Sequence, residues 1–482
     1  VTDGLAERQV ADVERQVADV AGRRADLEPS LVSGRTYATR RRIGRVDAPL
    51  VLCLMIVMIG LIPFNLIVPG MTDLARPGII LALGLFGWWF ITRFTTHLSM
   101  RGPQPLRWAL LFFMMSILLS YAVGFIRGLT TMEANGADRS LLFFCALAGI
   151  ILMTADGLPN WQRLRTVVNV LVVVAALMAV IGLMQYMFSV DLTQYLVIPG
   201  LQSKYDALGF MMRGSSYRVA GTTAHYIELA TVLALALPYA VHVARFGEKR
   251  WQKQLALVSA ALIAAGVGAT ISRTGILAIG VMFVCLFPVW NWRMRFNIGV
   301  LSVLLLGVLA GVSPGLYRTL FSIFSNASDD TSVSARYERY PMVFSYVAQH
   351  PWLGRGTGTW IPPQYQILDN QWLVTLLTNG ALGVIALAAL HITGIVLAYR
   401  ALKRSANDDE KHLCAVVLST QVMALLVAGT FDSLSFTTYA VVMALSLGLC
   451  GAVWRLTHPE PQIRTSTTRW FLGGVYRPEV TR

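Results

Sequence analysis

Between Ser334 and Trp360 the chain reads SARYERYPMVFSYVAQHPWLGRGTGTW, a polar stretch in an otherwise apolar sequence. It carries Arg336, Arg339 and His350 at positions where crossing a membrane requires none of them. An imidazole near pH 7 can be neutral and accept a proton from a hydroxyl. Pro351 ends any preceding helix, and Gly354, Gly356 and Gly358 permit tight backbone turns. His350 is therefore expected at a helix end above the membrane, as a general base or as a terminal residue satisfying carbonyls. Of the seven histidines, only His225 and His350 fall on this side of the chain.

Arginines supply the second half of a site. Arg218 opens RVAGTTAH just before an apolar run, and Arg273, in ISRTG, occupies a hairpin of very few residues. Arg336 and Arg339 lie one turn apart if their segment is helical. The planar guanidinium fork suits phosphate oxygens, and its charge does not depend on pH. Each arginine alone reads as an interfacial anchor; together with the histidine loop they read as a site for a lipid-linked phosphate or pyrophosphate. Glu228 lies one turn inside an apolar run, where an acid is a functional candidate by default, or a structural partner of Arg218 or Arg273. Asp369 and Asn370 open another run, with Asp369 also a reasonable helix cap, and Asp432 sits in the short turn GTFDSLS. No paired-carboxylate or DxD pattern calls for a divalent metal, so neither metal nor cofactor is expected.

The elements that must hold these residues are apolar. The chain has 482 residues, 55% hydrophobic and 14% charged, which excludes a soluble multidomain protein. The apolar runs are continuous over about 17–25 residues instead of alternating over about 10, so they are helices and not barrel strands. The expectation is an all-α polytopic membrane protein with about twelve spans: 48–69, 77–92, 107–126, 139–155, 166–188, 224–244, 254–271, 274–290, 297–312, 372–399, 412–430 and 435–454. Runs 77–92 and 139–155 are short, and 372–399 is long enough to tilt or to include an interfacial helix. With both termini cytoplasmic, the whole formal net charge of +14 falls on the cytoplasmic side, as the positive-inside rule requires. That also accounts for the basic balance without nucleic acid.

Three regions follow: a polar N-terminal segment over 1–47, a transmembrane domain over 48–455 and a C-terminal tail over 456–482. Long extracytoplasmic loops are expected over about 189–223 and 313–371, the second between spans nine and ten. ERQVADV occurs twice in tandem, at Glu7–Val13 and Glu14–Val20, too few heptads for a stable coiled coil. Arg40, Arg41, Arg42 and Arg45 read as a topology anchor before the first run. The first apolar run begins too late for a cleavable signal peptide. All five cysteines fall inside runs, so disulfides and structural zinc are not expected.

The order of RVAGTTAHYIELA, ISRTGILAI, RYERYPMVFSYVAQHPWLGRGTGTW and DNQWLVTLLTNGALGVIAL resembles the O-antigen ligase/polymerase family of bacterial membrane glycosyltransferases, over roughly Arg218 to Leu390. Arg218 with Gly221-Thr222, Ser272-Arg273, Arg336, and His350 with Gly354 and Gly356 match that family's pattern. Thr274 stands between Arg273 and Gly275, and Asp369 replaces the family's histidine before Asn370.

The resemblance implies a GT-C-like enzyme of the bacterial inner membrane. It would transfer a glycan from a polyprenyl-pyrophosphate carrier to an acceptor hydroxyl on the extracytoplasmic face, without metal. His350 would be the base, and Arg218, Arg273, Arg336 and Arg339 would grip the pyrophosphate. Glu228, Gly354, Gly356, Asp369 and Asn370 would serve the acceptor or support the site. A polymerase of lipid-linked repeat units is the alternative within the family. A flippase of lipid-linked oligosaccharide would instead want charged residues deep along its helices. A scaffold built on the N-terminal heptads would leave the histidine loop unexplained.

Overall fold

Each of the twelve apolar runs overlaps a helix. The computed structural model describes residues 47–70, 75–92, 103–204, 211–213, 216–312, 338–362 and 364–458. The tandem heptads, the arginine cluster at 40–45, Arg336 and the tail beyond 458 lie outside the described residues. In chain order the helices are α1 (Ala48–Leu61), α2 (Pro77–Thr92), α3 (Pro105–Arg127), α4 (Thr131–Gly157), α5 (Trp161–Phe188), α6 (Tyr226–Phe246), α7 (Arg250–Ala269), α8 (Arg273–Leu286) and α9 (Trp292–Val312). Then come α10 (Tyr340–Gln349), within the expected long loop, and α11 (Gln371–Arg404), α12 (Asp408–Val427) and α13 (Thr437–Thr457). Eight of them are long and apolar enough to cross a membrane; α1, α2 and α8 are apolar but shorter. The protein is an all-α polytopic membrane protein.

Three boundaries differ from expectation, each for a local reason. The run 48–69 is helical only to Leu61, because Pro63 has no N–H to continue the ladder. Residues Leu66–Ile67 (β1) instead pair antiparallel with Gln202–Ser203 (β2), tying the end of α1 to the loop after α5. The run 139–155 belongs to a longer helix, because Thr130 and Glu133 form a capping box that starts α4 at Thr131. Finally, α11 is broken at Gly380, whose φ is 67° and ψ −169°. Beyond the break, residues 381–404 extend about 36 Å, enough to cross the membrane without the first segment.

Small residues set the helix spacing. A Cβ on Gly149 of α4 would come within 2.6 Å of the Phe86 backbone nitrogen on α2, so these two backbones are in direct contact. α6 and α13 are the most enclosed helices, whereas α3 and α9 turn apolar side chains such as Leu118 and Val303 outward, as lipid-facing helices do.

Polar contacts gather the helix ends into two faces. On one, the Asp156 carboxylate takes the Arg107 guanidinium and the Trp89 indole N–H, and Arg455 donates to the Ala155 carbonyl. On this face also runs a chain of two hydrogen bonds that ends beside a carboxylate. Trp290 Nε1–H donates to His412 Nε2 at 3.1 Å, His412 Nδ1 meets His242 Nδ1 at 3.1 Å, and His242 Nε2 lies 3.4 Å from Asp409 Oδ1. With both rings neutral, one proton arrangement satisfies every link: His412 donates from Nδ1 and His242 from Nε2. The other face holds the ends of α1, α5 and α7, the starts of α6, α8 and α11, and the α12–α13 turn. Among the described residues, those singled out from sequence as site candidates lie there.

Candidate functional site

Thr222 Oγ1 donates to the Gly60 carbonyl at the end of α1, at 2.5 Å, and the Phe64 N–H donates back to the Thr222 carbonyl at 3.0 Å. Buried Gln185 clips the same turn from α5: its Oε1 accepts the Gly221 N–H at 2.8 Å and its Nε2 donates to the Gly221 carbonyl at 3.2 Å. These bonds fix the segment 220–225 as one wall of a small open cleft of about 90 Å³. Asn65, Thr193, Arg218, His225 and Tyr226 line it.

Arg218 ends the short hairpin Met211–Arg213 (β3) and Ser216–Arg218 (β4). Its guanidinium stacks 3.7 Å above the Tyr226 ring and donates to the Ile271 carbonyl at 3.1 Å. Ile271 holds that carbonyl with φ 51°, unusual for a β-branched residue, in the turn that leads through Ser272 to Arg273. Gly275 lets α8 close on α6, since a Cβ there would sit 2.8 Å from that of Ala230. The structure thus joins Arg218 to the turn bearing Arg273, as the sequence suggested.

His225 caps α6: its Nδ1 accepts the Ile227 N–H at 3.3 Å, and its ring packs on Tyr226 and Phe436 at 4.0 and 5.6 Å between centroids. Burial first, then the Arg218 charge, push the imidazole down to about 4, against the opposing pull of Asp369. Asp369, with φ 50°, accepts from Arg339 at 3.2 Å, and Arg339 also donates to the Ile367 carbonyl. Asn370, not Asp369, is the cap of α11, accepting the N–H groups of Trp372 and Leu373. Asp432 belongs to the neighbouring turn, tied to the head of α11 through Gln371, whose N–H donates to the Phe431 carbonyl. Burial, with the Asp369 charge adding, lifts its carboxyl to about 6.

Glu228 is buried and spends its carboxylate on backbone donors. Oε1 accepts the Thr438 and Tyr439 N–H groups at the start of α13, and Oε2 accepts that of Ala224. It fastens α6 to α13 beneath the cleft, close to the buried Arg76 that donates to Thr438 Oγ1. Of the roles open to Glu228 from sequence, these bonds match the supporting one, with backbone N–H groups as partners in place of Arg218 or Arg273.

The His350 loop forms a second group. His350 ends α10, as Pro351 predicts, and its carbonyl accepts the Gly354 N–H. The loop then runs against the α11 break: Arg355 N–H donates to the Leu377 carbonyl and Gly356 N–H to that of Thr378, while Ala381 N–H donates to the Pro351 carbonyl. Gly354 (φ 70°) has no room for a Cβ, which would meet the Thr378 carbonyl at 2.3 Å, and one on Gly380 would meet the Trp352 backbone at the same distance. Glu133 of α4, 4% exposed, pins the loop by accepting from Arg127 at 3.0 Å, lying 3.5 Å from Arg355 and taking the Tyr365 hydroxyl at 3.3 Å.

The sequence reading put His350 and the arginines in one site; the structure sets the length of α10 between His350 and Arg339. Arg339 precedes α10 and His350 ends it, so about 15 Å of helix lies between them. His225, unassigned from sequence, stands instead with Arg218 and Asp369. The only signal for it was a histidine at the end of RVAGTTAH, immediately ahead of an apolar run. Glu133 and Arg355 were also passed over; Arg355 between two glycines was the available hint.

Residues 258–388 match the model of the O-antigen ligase family. No curated protein matches the chain. The O-antigen ligase match bears out the resemblance over that stretch, from within α7 to within α11, and with it a glycosyltransferase of the O-antigen ligase/polymerase type. It takes in Arg273, Arg339, His350 and Asp369. Arg218 and His225 precede it in the chain yet meet it in space, through the Ile271 carbonyl and the field of Asp369.

Proposed function

We propose that the protein transfers a glycan from a polyprenyl-pyrophosphate carrier to an acceptor hydroxyl, on the extracytoplasmic face of the bacterial inner membrane. The transmembrane domain over 48–455 would carry both termini in the cytoplasm. The observation that carries this reading is Arg218, which lines the cleft and is locked by Tyr226 and by the carbonyl of Ile271, two residues before Arg273 in the O-antigen ligase segment. Fixed guanidinium groups need no reorganisation as charge develops on a leaving pyrophosphate.

The acceptor oxygen attacks the anomeric carbon while the bond from that carbon to the pyrophosphate oxygen breaks, and its electron pair leaves with the carrier. The acceptor proton must pass to a base within hydrogen-bond reach of the attacking oxygen. That oxygen approaches across the anomeric carbon from the leaving pyrophosphate, so in this reading the base belongs beside the cleft. We assign that duty to Asp432, in the turn tied to the head of α11, its carboxyl lifted to about 6 by burial and the Asp369 charge. His350, expected as the base from sequence, is reassigned to the acceptor chain beyond the reacting sugar. Arg339 orients Asp369.

The test uses purified protein in detergent with polyprenyl-pyrophosphate-linked glycans and candidate acceptors. Wild type should release polyprenyl pyrophosphate and form a larger glycan, whereas Arg218→Ala and Arg273→Ala should not. Product size separates ligase from polymerase. Movement of intact donor across liposomes without release would make the protein a flippase and end the transferase reading.

A further inference from the structure

We propose that His225 binds the donor, giving its Nε2–H as a neutral imidazole to a pyrophosphate oxygen held in the cleft beside Arg218. This rests on the reading of that cleft as the donor site. The ring's first nitrogen is already committed: Nδ1 accepts the Ile227 N–H, so the proton of the neutral ring resides on Nε2. Among the described residues no hydrogen bond reaches Nε2, while the ring itself lines the cleft with Arg218 and Thr193. Tyr226 and Phe436 flank the ring and fix its direction.

Neutrality has structural causes. Burial of the ring disfavours a cation first, the Arg218 charge opposes a second one, and the start of α6 adds to both. The charged groups that act on it are Arg218 and Asp369; Asp191 lines the same cleft and Asp432 the adjoining turn. Arg218 then supplies the charge and His225 a directed donor that needs no desolvated cation of its own.

The competing role for His225 is that of a helix cap and nothing more, and substitution separates the two. Asn is among the best N-cap residues, so His225→Asn retains the cap and the fold but withdraws Nε2–H. The measurement is the Kd of a long-chain polyprenyl pyrophosphate without its glycan for purified protein in detergent, together with the melting temperature. Loss of one hydrogen bond to a charged group should weaken binding about ten- to a hundredfold in His225→Asn at an unchanged melting temperature. Wild-type affinity in His225→Asn would leave His225 as a cap only and overturn the inference. Failure of wild type itself to bind the lipid would remove the donor-site reading as well. Binding with normal losses in His225→Asn but no glycan transfer would retain the inference and sink the transferase.

Discussion

Arg218 donates to the carbonyl of Ile271, two residues before Arg273 in a turn that the sequence separates from it by two helices. The bond, with the stack on Tyr226, holds the guanidinium plane in one orientation. Arg218→Lys keeps the charge but loses both the plane and the fork. It should lower kcat/KM for transfer by about tenfold or more, a loss of at least ~1.4 kcal/mol of transition-state stabilisation. Activity equal to wild type in the lysine variant would show that a point charge suffices.

Asp432 gives effects of opposite sign on activity and stability. Its folded pKa, about 6, lies above the ordinary aspartate value of 3.8, so between these values the folded state holds the proton more tightly than the unfolded one. Stability is therefore full below the lower value and falls as pH rises through the upper one, by roughly 2–3 kcal/mol for this group alone. Asp432→Asn should melt higher than wild type at pH 8 and no higher at pH 4, while losing transfer. An active Asn variant would remove Asp432 as the base.

His350 sits beyond reach of the anomeric carbon in the arrangement proposed. His350→Ala should raise the KM for acceptor while kcat stays within about tenfold, a loss of uniform binding rather than of transition-state contact. Complete loss of kcat with intact acceptor affinity would restore His350 as the base and count against Asp432.

Glu133 faces two guanidinium groups from a nearly fully buried position. Glu133→Gln leaves Arg127 and Arg355 without their carboxylate, a loss of charge-assisted hydrogen bonds that costs about 1.5–3 kcal/mol at such a part-buried site. A marked drop in melting temperature is expected, with faster proteolytic cleavage within residues 350–366. Resistance to protease equal to wild type would mean that the α11 contacts hold the loop alone.

Much of this was legible in the sequence for a simple reason: lipid forces every backbone group into a helix, so apolarity alone located all twelve. The positions of Arg218 and Arg273 at run ends likewise pointed to one face, and Pro351 correctly ended the helix at His350. What stayed hidden depends on partners distant in the chain. Thr131–Arg139 reads as a polar loop until Arg127 and Arg355 are seen around Glu133. Gly380 reads as one of many small residues in a span, and only the Trp352 backbone against it reveals the break. His225 gains its meaning from Asp369, far along the chain.

The break in α11 also defines a unit of exchange. The segment ahead of Gly380 is fastened at its head to the α12–α13 turn and to Arg339 through Asp369, and at its tail to the backbone of residues 351–355. Replacing the glycine-rich loop alone, or the helix start alone, would sever those ties. A chimaera intended to accept a different glycan should therefore carry residues 339–382 as one graft, with its junctions at the start of α10 and just past Gly380.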